Sequence, residues 1–311
     1  MRTAIRFGLP LMAAAGLAIV IPAAAPAAGA KPHVCSGKLG NPGVLHGTYK
    51  SGVIVRGACA VNSGPAKVIG TVTVTKGSAF AAAFGLNDKT HKGHSNLTVT
   101  GNVVVGKGAT AVLGCKVNKN GSGFACIDDP HPHKPTLSGT ATIKGGLVEH
   151  APLGVVVHNS TIDGNWSETG GGGGVNCNPT GPFKKFGSPV FSGIEDSTVE
   201  GNLTINGMKT CWVGVARVKI EGNATFNNNE LADPDGIEIV LNHIAGNLAC
   251  AGNSHPAGAP AGAQPVWDSG DLSQNLYPRT PQPNTVAGTR SGQCQLASPT
   301  TQGGALGPGP F

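Results

Sequence analysis

Carboxylates, histidines and cysteines are the side chains here whose spacing could support chemistry. Glu195-Asp196 immediately precedes one copy of a short recurring motif, and Asp233-Pro234-Asp235-Gly236 opens another. With Asp163, Glu200, Glu221 and Glu238 they form the set of acids that consecutive repeats could bring into one groove. Two carboxyls about 5 Å apart serve glycoside cleavage as acid and nucleophile. The same oxygens could hold Ca²⁺, which takes several oxygen ligands. Asp-Pro-Asp-Gly is also what a tight turn requires. In Asp128-Asp129-Pro130-His131-Pro132-His133 the prolines extend the chain, which favours an exposed polar loop over a metal site. No His-Glu-x-x-His, Gly-x-Ser-x-Gly or phosphate loop occurs, so no catalytic residue can be assigned.

The cysteines are Cys35, Cys59, Cys115, Cys126, Cys177, Cys211, Cys250 and Cys294. An even count in an exported chain reads as disulfides. Zinc is the competing reading, but it prefers close Cys-x-x-Cys pairs, and there are none. Sequential pairing is expected. Cys35–Cys59, Cys177–Cys211 and Cys250–Cys294 are each about one repeat apart, and Cys115–Cys126 closes a loop.

Export is expected from the N-terminus. Arg2 and Arg6 precede an apolar stretch from Phe7 to Ile21, and Ala28-Gly29-Ala30 matches a cleavage signal. Residues 1–30 thus read as a signal peptide, and the product as secreted. The alternative is a membrane anchor, although Pro10 interrupts the run and it is short of the ~20 residues a span needs. Losing Arg2 and Arg6, and no acid, takes the net charge from +6 to +4. That charge is dispersed and forms no basic stripe, which argues against a nucleic-acid partner.

The elements that must position these groups are short strands. The 311 residues include 49 Gly and 23 Pro, with 12% charged and 5% aromatic residues, which excludes a helical bundle and favours a turn-rich all-β chain. An aliphatic residue, any residue, Gly, then Asn or Thr recurs nine times, with its glycine at Gly47, Gly70, Gly101, Gly139, Gly164, Gly201, Gly222, Gly246 and Gly288. Chance would give roughly one or two copies, so an internal repeat governs the fold. Four of the eight spacings fall between 21 and 25 residues, and the others read as the same unit carrying an insertion. A further apolar strand lies nine residues before the glycine at Val155, Val213 and Ile237.

Such a unit buries no core alone but does so by stacking. The expected fold is therefore a right-handed parallel β-helix of about nine coils over residues 31–296. Val99, Ile162, Val199, Ile220 and Ile244 should stack inward, and the glycines should accept positive φ and close approach. The asparagine amides should bond from coil to coil. That ladder also accounts for the Asn-x-Ser/Thr sequences that start at Asn165, Asn202 and Asn223. A sandwich or barrel is the competing all-β fold. Insertions are expected near 85–95, 115–135, 170–192 and 254–284, and a flexible tail over 297–311. Trp166 and Trp212 read as core, which leaves Trp267 and Tyr277 as candidates for stacking on sugars.

Some segments resemble known families. Arg217-Val218-Lys219 looks like the Arg-Ile-Lys substrate triplet of polygalacturonases, but the accompanying motifs of that family are absent, as is the pectate lyase Trp-Ile-Asp-His element. The Gly-Asn repeats, Cys-Trp-Val-Gly-Val-Ala-Arg-Val from Cys211 and Leu-Ala-Asp-Pro-Asp from Leu231 resemble secreted Gly/Asn-rich β-solenoid proteins of actinobacteria. The coils are also similar to those of bactofilins, which are cytoplasmic and cysteine-poor. These resemblances imply a solenoid and bring no active site.

Two functions stay open. One is an exported non-catalytic scaffold that binds cell-wall or extracellular polysaccharide. The other is a polysaccharide lyase or hydrolase using carboxylates in a groove. Asp163, Glu200 and Glu221 share one repeat position and should form an acidic row. A row suits a repeated surface, whereas a catalytic site is singular.

Overall fold

The computed structural model describes residues 30–117, 123–131, 134–234, 236–259, 263–268 and 283–295. Residues 1–29, Pro132, His133, Asp235, Tyr277 and residues 297–311 lie outside the described residues, and with them most of the expected signal peptide and the expected tail. No helix among the described residues is long and apolar enough to cross a membrane.

Short strands recur in a fixed order, as in a parallel β-solenoid. One repeat runs through Leu203–Asn206, Trp212–Ala216 and Lys219–Ile220, and Ala224–Asn227 then returns parallel to the first of these. These positions define a first, a second and a third sheet. The strand Val53–Ala60 bends from the first into the second. Among the described residues the third sheet has nine strands. Alternation makes every second residue face inward. On the third sheet this stacks Val68, Val99, Ile143, Ile162, Val199, Ile220 and Ile244 in one register, all fully buried. Burying each such side chain is worth about 1.5–3 kcal/mol, so the stack is a main source of cohesion between coils. Val155, Val213 and Ile237 occupy the corresponding inward position of the second sheet.

Two of the nine motif copies fall out of register. Gly139 lies at the end of an insertion and exchanges backbone hydrogen bonds with Cys115. Gly145 takes its expected place, donating to Gly101 and accepting from Gly164. Gly47 pairs with Ala66 rather than with Gly70.

The glycines serve close approach more than positive φ. Of the in-register copies only Gly70 has positive φ, at 107°. A Cβ on Gly201, Gly222, Gly246 or Gly288 would lie 2.4–2.6 Å from the Asn side-chain oxygen of the previous coil. The asparagine ladder also differs from an amide-to-amide stack. The Oδ1 atoms of Asn165, Asn202 and Asn223 accept the backbone N–H of Asn202, Asn223 and Asn247, each at 2.8 Å. Only Asn223 adds an amide bond to Asn202, at 3.2 Å. A second ladder, at the corner between the first and second sheets, runs through the buried Asn229 and Asn253 to the half-buried Gln293.

All four expected disulfides are present, with Cα separations of 6.1, 4.9, 4.6 and 5.2 Å in chain order. They do not join stacked positions of one sheet. Cys35 is in register with Val55, and its bond to Cys59 crosses from the first sheet to the second. Long connections between Ala82 and Leu97, Leu113 and Ala141, and Thr169 and Phe191 flank the second sheet. They cover part of its outer face. Trp212 accordingly lies outside the solenoid, yet is buried by stacking on Phe191 at 4.9 Å. Trp267 is also buried, which removes it as an exposed sugar platform.

Candidate functional site

The second sheet brings Glu195 and Asp196 together with two residues from adjacent coils. His158 ends one strand, Glu195 ends the next in register with it, and Ala216 follows. These positions face outward, because Val157, Ile194 and Val215 fill the interior. Asn159, Asp196, Arg217 and Leu241 then turn the chain with φ of 47–55°. The left-handed turn stacks Arg217 on Asp196, and the small Ala216 leaves room for the guanidinium to reach Glu195.

Arg217 Nε donates to Asp196 Oδ1 at 2.7 Å, and Nη2 donates to Asp196 Oδ2 at 3.0 Å and to Glu195 Oε2 at 2.5 Å. His158 Nε2 lies 3.6 Å from Glu195 Oε1. The Phe124 ring, from the disulfide-closed insertion, sits 5.5 Å from the imidazole. Burial holds the His158 pKa down to about 3, so the ring is neutral across the physiological range. Burial also pushes Glu195 up to about 7, against the lowering effect of Arg217. The site thus holds a carboxyl that exchanges its proton near neutrality beside a neutral imidazole.

His158, Glu195 and Asp196 place one ligand atom each within 4.8 Å of one another. Arg217 supplies the positive charge between the two carboxylates. A cation such as Ca²⁺ would have to displace that guanidinium and find further oxygens. Cys177 and Cys211, which lie near Asp233, are joined to each other, so their sulfurs are not thiolate ligands.

The other expected acids lie elsewhere. Asp163, Glu200 and Glu221 follow Ile162, Val199 and Ile220 and form a row beside the third sheet. Two lysines neutralise part of the row. Lys144 Nζ bonds Asp163 at 2.9 Å, and Lys219 pairs with Glu221. Glu221, and more weakly Glu200, raise the Lys219 pKa. Asp233 is fully buried in a turn. Glu238 is buried on the second sheet between Gly214 and Trp267. Among the described residues, only Glu195 and Asp196 of the expected set converge.

A second acid pair escaped the sequence reading. Glu149 and Glu168 are register partners on the first sheet, at inward positions otherwise held by Val105 and Ile205. Both are buried. Ser192 Oγ donates to Glu168 Oε1 at 2.6 Å. Burial raises both pKa values, that of Glu168 to about 8, and Glu168 pushes Glu149 further up. The signal was available, since Leu147-x-Glu149 and Trp166-x-Glu168 have the spacing of Val103-x-Val105 and Leu203-x-Ile205.

No family model, curated protein or solved structure matches the chain.

Proposed function

We propose that the chain is an exported, non-catalytic scaffold that binds a cell-wall or extracellular polysaccharide along its length. We take the solenoid to be a right-handed parallel β-helix of about nine coils, the hand that parallel crossovers favour. One observation carries the functional reading. Thr98, Thr142, Thr161 and Thr198 occupy successive rungs on the outer face of the third sheet, all half-buried. Their hydroxyls repeat at about 4.8 Å, the spacing of adjacent strands. The partly neutralised acidic row of Lys144, Asp163, Glu200 and Glu221 runs beside them. A surface that repeats suits a ligand that repeats, whereas hydrolysis requires two carboxyls around one bond. Glu195 and Asp196, the acids that do converge, are both hydrogen-bonded to Arg217.

The test is a binding and product-release screen of the secreted protein against pectin, alginate, chitin, peptidoglycan and arabinogalactan. One polymer should bind without oligosaccharide release, and Thr161→Ala with Thr198→Ala should weaken binding several-fold at an unchanged melting temperature. Oligosaccharide release abolished by Glu195→Gln would replace the scaffold with an enzyme.

A further inference from the structure

The outer face of the second sheet carries a cavity of about 620 Å³ over three consecutive strands. The floor is made of small side chains. Ala58, Ala79 and Thr110 form one column, and Ala60, Ala81 and Val112 form the next. Phe84, Phe124 and Ile127 contribute to the walls, and Phe186 packs edge-on against Phe124 at 6.0 Å. Leu39 and Pro42 line the end nearest the first coil. Six large hydrophobic side chains are exposed among the described residues. Three of them, Leu39, Ile127 and Phe186, line this one cavity. The size lies within the ~300–1,000 Å³ typical of small-molecule sites.

Its polar groups are few and gather at one end. Thr110 is in register with Gly154, on which Phe183 packs so closely that a Cβ there would meet the ring at 2.7 Å. Phe183 begins the short helix Phe183–Phe186, which carries Lys185. Thr110 Oγ is buried without a hydrogen-bond partner, and Lys185 is the one charged side chain in the lining. The nearby acids are directed to backbone. Asp128 accepts from the N–H groups of Gly85 and Leu86, and Asp129 from those of His131, Thr136 and Leu137. The site therefore has one hydroxyl donor and one cation at the helix end, with an apolar trough leading away over the alanines.

We infer that this cavity binds an anionic amphiphile with a single acyl chain. Its carboxylate accepts from Thr110 Oγ and pairs with Lys185. The chain lies along the alanine columns toward Pro42 and Leu39, over three strand spacings, or about 15 Å. This site is separate from the threonine face on the third sheet, so either can fail without the other.

The test is calorimetric titration of the secreted protein with octanoate, decanoate, laurate and myristate below their micellar concentrations. Affinity should rise about fourfold per added methylene, the step expected for burying one CH₂, and level off once the trough is filled. Dodecanol should bind at least tenfold more weakly than laurate, and Lys185→Gln should remove most of that difference. Thr110→Val should weaken laurate several-fold. Ala81→Trp, which fills the floor from its outer face, should abolish binding. If that variant is unstable, Lys185→Gln and Thr110→Val still decide the matter. No laurate binding, affinity independent of chain length, equal binding of dodecanol and laurate, or wild-type affinity in folded Ala81→Trp would each overturn the inference.

Discussion

The side-chain oxygen of Asn202 occupies the space where a Cβ on Gly222 would stand, 2.5 Å away, and from there accepts the Asn223 N–H at 2.8 Å. The two letters of the Gly-Asn repeat thus do different jobs in adjacent coils. Asparagine in one coil caps the backbone of the next, and glycine in the next coil makes way for it. The same relation links Asn165 with Gly201 and Asn223 with Gly246.

Gly222→Ala should therefore destabilise by about 1–3 kcal/mol, the usual cost of overpacking. The added methyl would also meet the Gly201 carbonyl oxygen at 2.7 Å, and backbone cannot swing aside. Asn202→Ala removes an acceptor at an exposed turn and should cost less, about 0.5–1.5 kcal/mol. The double variant should be less destabilised than the sum, because removing Oδ1 relieves one of the two clashes. Urea denaturation of the three variants measures the coupling.

The Glu149–Glu168 pair makes a pH prediction. Both folded-state pKa values are raised, so the folded protein holds protons that the unfolded chain releases. Stability from this pair is fully present below about pH 4 and is lost as pH rises toward about 8. Glu195, raised to about 7, adds a slope of the same sign, while His158, lowered to about 3, opposes it below about pH 6. The difference between wild type and Glu149→Gln/Glu168→Gln isolates the core pair. Urea midpoints from pH 4 to 9 should fall more steeply for wild type. Equal slopes would show that the pair does not titrate in this range.

How much of this was legible depended on whether the governing interaction was periodic. The aliphatic stack through Val99, Ile162, Val199, Ile220 and Ile244 repeats in sequence because each residue contacts its equivalent one coil away. The disulfide partners were legible because nearest neighbours along the chain end up close in space. Gly139 misled because an aliphatic-x-Gly-Thr string also occurs at a loop end, where its bonds go to Cys115 instead of a neighbouring coil. Of the site, Glu195 and Asp196 were legible as adjacent acids, and Arg217 as part of a basic triplet. Their meeting with His158 depends on an insertion between Thr169 and Phe191 whose length hides the register. The apolar cavity was illegible because its walls come from separate insertions that share no repeat.

Arg217 gives the most direct test of the candidate cluster. Its guanidinium bonds both carboxylates, and Glu195 is nearly buried. Arg217→Ala leaves those charges uncompensated and should destabilise by roughly 3 kcal/mol, the scale for breaking a buried pair. Arg217→Lys should rescue only part of this, because an ammonium cannot reproduce the planar fork that spans both residues. Removing Arg217 also removes the main influence that lowers the Glu195 pKa, so that carboxyl should titrate above 7 in Arg217→Ala. Carboxyl-carbon NMR of Glu195 reads this directly. A Glu195 pKa that stays put while stability falls would mean that Arg217 acts by packing its stem across the turn, and that the charge relationship is incidental.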